Sequence, residues 1–372
     1  MPLTSAQYRL LKFWLPPLVA GGVAWGILLL LGDTPLVRAS GLAVAVVGVA
    51  GALRRFGAIL SVVGALMLVV SPSFWSQTGG GDGNPATIVL AIGAAIVTVV
   101  GVVVLSKRPA LAVGLGVLVF AVLFSSQIGT PRSIRLTAFA FGWLMFLLTD
   151  MLLIAHPNPS DAPSILQDKP DEAPQARPHH VYGILLLFSV GVLNDAVLTF
   201  LAPSLVVALL LSRYKLAWWY WIALGVFVGI GSNRFVTEYL EAQSTLMVLE
   251  QWRNAARWID LVRLVVEQFT PLGILLGVLG LARLSRWYPP LGGVTMLAYG
   301  AYAFFGLIYL GARRDVLLMP LFIIQVIWMT YAAFALSEWL AKAVPRFAPY
   351  ARLGVQAGYG LLPLLAFWRI VG

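Results

Sequence analysis

Apolar stretches long enough to cross a bilayer recur along almost the whole chain, and no water-soluble fold can hide so many of them. A crossing helix needs about 20 predominantly apolar residues, or somewhat fewer where the bilayer adapts. The stretches are Trp14–Leu31, Arg38–Leu53, Phe56–Val70, Ala86–Leu105, Ala110–Phe124 and Leu136–Ala155, then Tyr182–Leu211, Ala217–Ile230, Trp258–Leu281, Leu291–Leu310, Val316–Leu340 and Leu353–Ile370. Of the 372 residues, 60% are hydrophobic and only 11% charged. That is too little charge to keep the surface of a soluble protein this long in water. The expected class is an all-α polytopic membrane protein with about 12–13 transmembrane helices and lipid as its outer partner.

The run Tyr182–Leu211 is too long for one upright span. It carries Asn194-Asp195 near its middle and Pro203 beyond. A polar pair at mid-run is costly in hydrocarbon unless it reaches headgroups or a cavity. Two short helices turning near Asn194 are therefore expected. Residues 156–181, rich in Pro, Asp and Gln, read as a flexible cytoplasmic linker. It divides an N-terminal membrane half, 1–155, from a C-terminal half, 182–372. Within the second half, 231–257 is amphipathic, with Tyr239, Leu246, Leu249 and Trp252 at roughly helical spacing among glutamates. Such a segment is expected to lie along the outer membrane surface.

The formal net charge is +10. The basic residues sit in short connections between apolar runs, which is the signature of membrane topology and not of nucleic-acid binding. Arg9 with Lys12, Arg54-Arg55, Lys107-Arg108, Arg213 with Lys215, Arg283 with Arg286 and Lys342 with Arg346 all fall on one side if the long run is split. That side is expected to be cytoplasmic, with the N-terminus on it, as in a bacterial inner membrane protein. The first run lacks a small-x-small cleavage site after it and reads as a retained span. Arg132, Arg135, Arg313 and Arg314 depart from the rule.

Several chemistries are excluded. There is no cysteine, hence no disulfide, iron–sulfur ligation or thiolate catalysis. The three histidines, His156, His179 and His180, share one polar segment, which fits neither bis-histidine haem nor a zinc hydrolase. No phosphate loop, nucleophile elbow or His-Glu-x-x-His pattern occurs. No resident cofactor is expected.

What remains are ionisable residues within or beside apolar runs. Arg313-Arg314-Asp315 lies between two strong spans, where a guanidinium pair can hold an anionic phosphate through bidentate hydrogen bonds. The alternative is an interfacial anchor, with Asp315 starting the next helix. Asn194-Asp195 either lines a polar cavity, where it could take a divalent cation, or caps a helix at a turn. Asp150 sits where headgroups begin. Glu338 has Lys342 four residues on as its expected partner. Asp33 is the sole carboxylate of the short segment Gly32–Val37. Phe74 and Trp75, in the stretch Ser71–Gly81, suit the interface.

Four stretches resemble the GT-C superfamily of integral-membrane glycosyltransferases, which use polyprenyl-phosphate-linked sugars. They are Ala39–Gln77 with Arg54-Arg55-Phe56-Gly57, Ser71-Pro72 and Phe74-Trp75; Leu185–Ser212 with its polar turn and following proline; Gln268-Phe269-Thr270-Pro271-Leu272-Gly273; and Gly311–Leu340, where Arg313-Arg314-Asp315 precedes Leu317-Leu318-Met319-Pro320-Leu321. The resemblance implies sugar transfer from a lipid-linked donor at the outer face. Asp33 would be the base that activates the acceptor, and Arg313, Arg314, Asp315, Asn194, Asp195 and Trp75 would bind substrate. The chain also departs from the family. The first outer loop, which in the family is substantial and carries the catalytic acid, is little more than Gly32–Val37. A carboxylate, Asp195, stands where a basic residue often holds the donor phosphate. Two alternatives follow from these departures: a catalytically reduced scaffold serving as a subunit of a membrane assembly with protein partners, and a transporter with Asp195 and Asp150 in its path.

Overall fold

A computed structural model describes residues 5–32, 34–78, 85–106, 134–156, 178–242, 244–312 and 314–371, with a few positions between 112 and 120. Among these residues the chain is about 90% helical and forms no strand. The one extended pairing is an isolated antiparallel bridge between Met247 and Tyr309. Six helices are long and apolar enough to cross a membrane, and three shorter apolar helices, Ala58–Val69, Pro178–Asn194 and Ala196–Leu211, accompany them. The protein is thus an all-α polytopic membrane protein. Twelve uniform spans are not what the described residues form, because several apolar runs are spent on short paired helices.

The first hairpin joins α1 (Ser5–Leu30) to α2 (Leu36–Leu53) through a tight turn. The Thr34 amide donates to the carbonyl of Leu28 at 3.1 Å, so the turn folds back onto the end of α1. The second hairpin joins α2 to α3 (Ala58–Val69) through a 3-10 turn at Arg54–Phe56 and Gly57. Gly57 takes φ 119°, which other residues rarely adopt. At 1.5 Å per residue, α3 is about 18 Å long, too short for a hydrocarbon core of about 30 Å. The chain turns after it into the short helix α4 (Pro72–Trp75), where Pro72 suits a first helical turn.

The described chain resumes with α5 (Pro85–Ser106) and α6 (Ile134–Ala155). Next comes α7 (Pro178–Asn194), which begins inside the segment that composition assigns to the linker. A 3-10 helix, Ala196–Leu201, and α8 (Ala202–Leu211) follow. The expected turn at Asn194 is present. His180, near the start of α7, meets Asp150, and Asn194 at its end meets Thr137 near the start of α6. The end of α8 comes back beside α6, where the Leu211 carbonyl is 2.7 Å from His156 Nε2.

Helix α9 (Trp218–Phe235) continues into a π-helical turn, Val236–Glu241. In the amphipathic segment Tyr239 is buried, while Leu249 and Trp252 are exposed. The C-terminal bundle comprises α10 (Ala255–Trp287), α11 (Pro289–Ile308), the four-residue α12 (Arg314–Leu317), α13 (Met319–Ala343) and α14 (Ala348–Val371). Helix α13 is central, with 83% of its span inside the protein against 28% for α1. It packs on α3, α10, α11 and α14. Its polar side chains serve as interhelical ties, as suits a lipid-embedded bundle. Trp328 Nε1 donates to Thr295 Oγ1 at 3.0 Å, Gln325 Nε2 to the Gly273 carbonyl at 3.1 Å, and Thr330 shares a hydrogen bond with Tyr359 at 2.9 Å. Gly280 lets α10 and α13 approach so closely that a Cβ there would lie 1.8 Å from the Trp328 carbonyl oxygen.

Candidate functional site

Helix α10 is two helices joined at a break. Thr270 has φ 65° and ψ 167°, and Pro271 follows. A residue before proline is pushed out of the α region, and this combination of angles is one that glycine adopts most easily. The motif Gln268–Gly273 therefore falls on a kink. The segment before the kink carries Arg257, Asp260, Glu267 and Gln268 on one face at helical spacing, with Leu264 among them. That face borders a cavity of about 530 Å³, which α4 and the segment from Tyr309 to Asp315 close on the other sides. Arg257, Glu267, Gln268, Arg314, Asp315 and Pro72 are among its walls.

Two cations converge at one end. Arg257 donates to the carbonyls of Tyr309 at 2.8 Å, Leu307 at 3.2 Å and Gly306 at 3.5 Å. These carbonyls end α11 and have no partners further along the helix, so Arg257 is a cap from a neighbouring element. Arg314 reaches the same Gly306 carbonyl at 3.4 Å, and this is a long bond. Arg314 makes no ion pair among the described residues, although its side chain is half-buried. Burial, and then the Arg257 charge, hold its pKa below the usual arginine value, with Asp260 and Asp315 opposing. Two guanidinium groups aimed at one point, one of them hardly used, make a place for an anion.

Two carboxylates, Glu267 and Asp315, also line the cavity. Asp315 Oδ2 accepts from Ser73 Oγ at 3.0 Å, and the Ser73 amide donates to Gln268 Oε1 at 2.9 Å. Ser73 thus ties α4 to both α10 and α12. Glu267 pairs with Arg263 at 3.0 Å, with side chains 43% and 77% exposed. An exposed pair of this kind contributes little, so Glu267 remains available to a ligand.

Of the residues singled out in the sequence, Arg314 and Asp315 meet in this cavity. Asp33 and Arg313 lie outside the described residues. The buried Arg38 of α2 donates to the carbonyl of Thr78, three residues past α4, at 3.2 Å. Trp75 turns away, packing edge-on against Phe367 at 6.1 Å. Asn194 and Asp195 are buried outside the cavity walls. Asn194 Nδ2 donates to Thr137 Oγ1 at 2.9 Å, and Asp195 Oδ1 accepts from the Val197 amide at 3.0 Å, capping the 3-10 helix. They shape the turn. Arg257, Glu267 and Ser73 carry no mark in the sequence reading, and Gln268 enters it only as the first residue of the Gln268–Gly273 motif.

A second polar cluster sits at the far end of the bundle. Asp150 Oδ1 accepts from Arg55 Nε at 2.9 Å and Nη2 at 2.5 Å, and Arg54 Nη2 lies 2.8 Å away. Asp150 Oδ2 is 3.0 Å from His180 Nε2. Arg54 stacks over the rings of Phe13 and Phe146 at 3.5 and 4.3 Å. His180 is therefore buried in a helix end, not part of a solvated segment. Glu338 pairs with Arg352 at 2.9 Å instead of Lys342, because the turn after α13 brings α14 back beside it. Arg234 binds Glu238 at 2.8 Å and also donates to the Val192 and Leu193 carbonyls at the end of α7.

No group of three or more potential metal ligands occurs among the described residues. Comparison with protein families, curated proteins and solved structures finds no match. Geometry and chemistry carry the functional reading.

Proposed function

We propose that the cavity between α4, α10 and α12 holds the phosphate of a lipid-linked substrate at the membrane surface. On the strength of the resemblance to the GT-C superfamily, the substrate is a polyprenyl-phosphate sugar, and the chain transfers that sugar at the outer face. The observation that supports this most is the convergence of Arg257 and Arg314 on one carbonyl oxygen, beside an open cavity of about 530 Å³. That volume lies within the usual range for small-molecule sites. Arg314, with Arg313 before it, supplies the anion contact. Asp33, in the connection between α1 and α2, is the proposed base. The side bearing Arg54-Arg55, Arg213 and Lys342 is proposed to be cytoplasmic, in a bacterial inner membrane, by the positive-inside rule.

The test is sugar transfer in proteoliposomes from a polyprenyl-phosphate donor. The Asp33→Asn variant should lose transfer, and the Arg313→Gln/Arg314→Gln double variant should lose donor binding while remaining folded. Full transfer by the first variant removes Asp33 from the mechanism, and unchanged binding by the second reduces the arginines to anchors.

A second reading has its own support. The connection from α1 to α2 folds back through the Thr34 amide, and Arg257 is already committed to helix carbonyls. Both features suit a catalytically reduced scaffold that binds a lipid phosphate and serves a larger membrane assembly. Donor binding without transfer, in a protein that copurifies with a partner chain, would favour it. Transport gains no support from Asp150, whose charge is held by two arginines.

A further inference from the structure

The cavity is not simply cationic. Among the described residues that line it, two arginines are matched by two carboxylates, Asp315 and Glu267, and Asp260 lies 3.8 Å from Arg257 outside the lining. The arginines gather at the Gly306 carbonyl, and Asp315 is bound instead to Ser73, whose amide also holds Gln268. A ligand that is only anionic would satisfy the arginines and be repelled by the carboxylates. We propose that the ligand is a phosphate ester bearing a primary ammonium group, with its phosphate toward Arg257 and Arg314 and its ammonium toward Asp315 and Glu267. This rests on the reading above that the cavity takes a phosphate, and it adds the chemical class of what is attached.

The carboxylates suit this role for distinct reasons. Asp315 is half-buried, one of its oxygens accepts from a neutral hydroxyl, and among the described residues it makes no ion pair. Glu267 has a weak exposed partner that a ligand ammonium can replace. A charge-assisted hydrogen bond to either is stronger than one from a neutral sugar hydroxyl. Two sources offer this chemistry: the headgroup of phosphatidylethanolamine, and an amino sugar carried on a phosphate.

The experiment uses the full-length protein in detergent, stripped of lipid, with binding read by native mass spectrometry and by calorimetry. The probes are short-chain phosphatidylethanolamine, its N-acetylated derivative and phosphatidate, together with glucosamine 1-phosphate and N-acetylglucosamine 1-phosphate. N-acetylation keeps the phosphate and removes the positive charge. At least one free-amine probe should bind about tenfold more tightly than its N-acetylated counterpart, as one charge-assisted bond implies. Asp315→Asn and Glu267→Gln, each checked for unchanged thermal stability, should erase that preference without weakening phosphatidate binding. The amine probe that shows the preference identifies the source. If the N-acetylated probes and phosphatidate bind as well as the amines, and Arg314→Gln weakens all of them, the ammonium assignment is overturned while the phosphate reading stands. If no probe binds, both fall.

Discussion

Replacing Asp150 by Asn should be the most damaging conservative change in the protein. The carboxylate is 11% exposed and carries four polar contacts: two from Arg55, one from Arg54 and one with His180. An amide of the same shape cannot balance two guanidinium charges. Arg55 is 30% exposed and can turn toward water, so its share of the loss is small. Arg54 is 5% exposed and clasped between two phenyl rings, so it cannot. Removing one partner of a buried pair costs about 3–5 kcal/mol, and Arg54 alone should supply about 3 kcal/mol of it. The measurement is unfolding of the purified protein in mixed micelles by denaturing detergent. The compensated variant Arg54→Met/Asp150→Leu should recover most of the loss, because well-packed apolar groups replace buried ion pairs without penalty. A loss below about 1 kcal/mol in the single variant, or no recovery in the double one, refutes the argument.

Asp195→Ala should cost only about 1 kcal/mol, the value of a cap, and leave phosphate binding unchanged in the same assays. Thr270→Gly should be neutral or stabilising by up to about 1 kcal/mol, because glycine suits φ 65° and ψ 167°; Ala282→Gly, in the same helix, should lose about that amount. Gly280→Ala should lower the melting temperature strongly and cost about 1–3 kcal/mol, since the added methyl meets the Trp328 backbone. An unchanged melting temperature there would mean that α10 and α13 separate easily.

How much of this was legible depends on range. Apolar length gave the membrane class, and the polar pair inside Tyr182–Leu211 gave the turn, because both are local consequences of hydrocarbon excluding unpaired polar groups. Arg314 and Asp315 stood out for the same reason. The rest of the cavity did not, since it forms where α4 meets the first half of α10 across nearly two hundred residues. One local signal was available: Arg257, Asp260, Glu267 and Gln268 share one face of a largely apolar helix. Arg54-Arg55 read as a topology mark, and Asp150 as a headgroup contact. Their pairing is non-local and shows only in the fold. Glu338 illustrates the limit of helical spacing, because a returning helix offered it Arg352 before Lys342 could compete.

Whether an anion sits beside Arg314 is best read from an electron cryomicroscopy map of the wild-type protein in nanodiscs made from native membrane lipid. Phosphate-strength density within about 3 Å of the Arg314 guanidinium, continuous with an acyl or prenyl chain running into the bilayer, is the predicted result. A cavity without headgroup density, with Arg314 instead turned onto a carboxylate of its own chain, would contradict it.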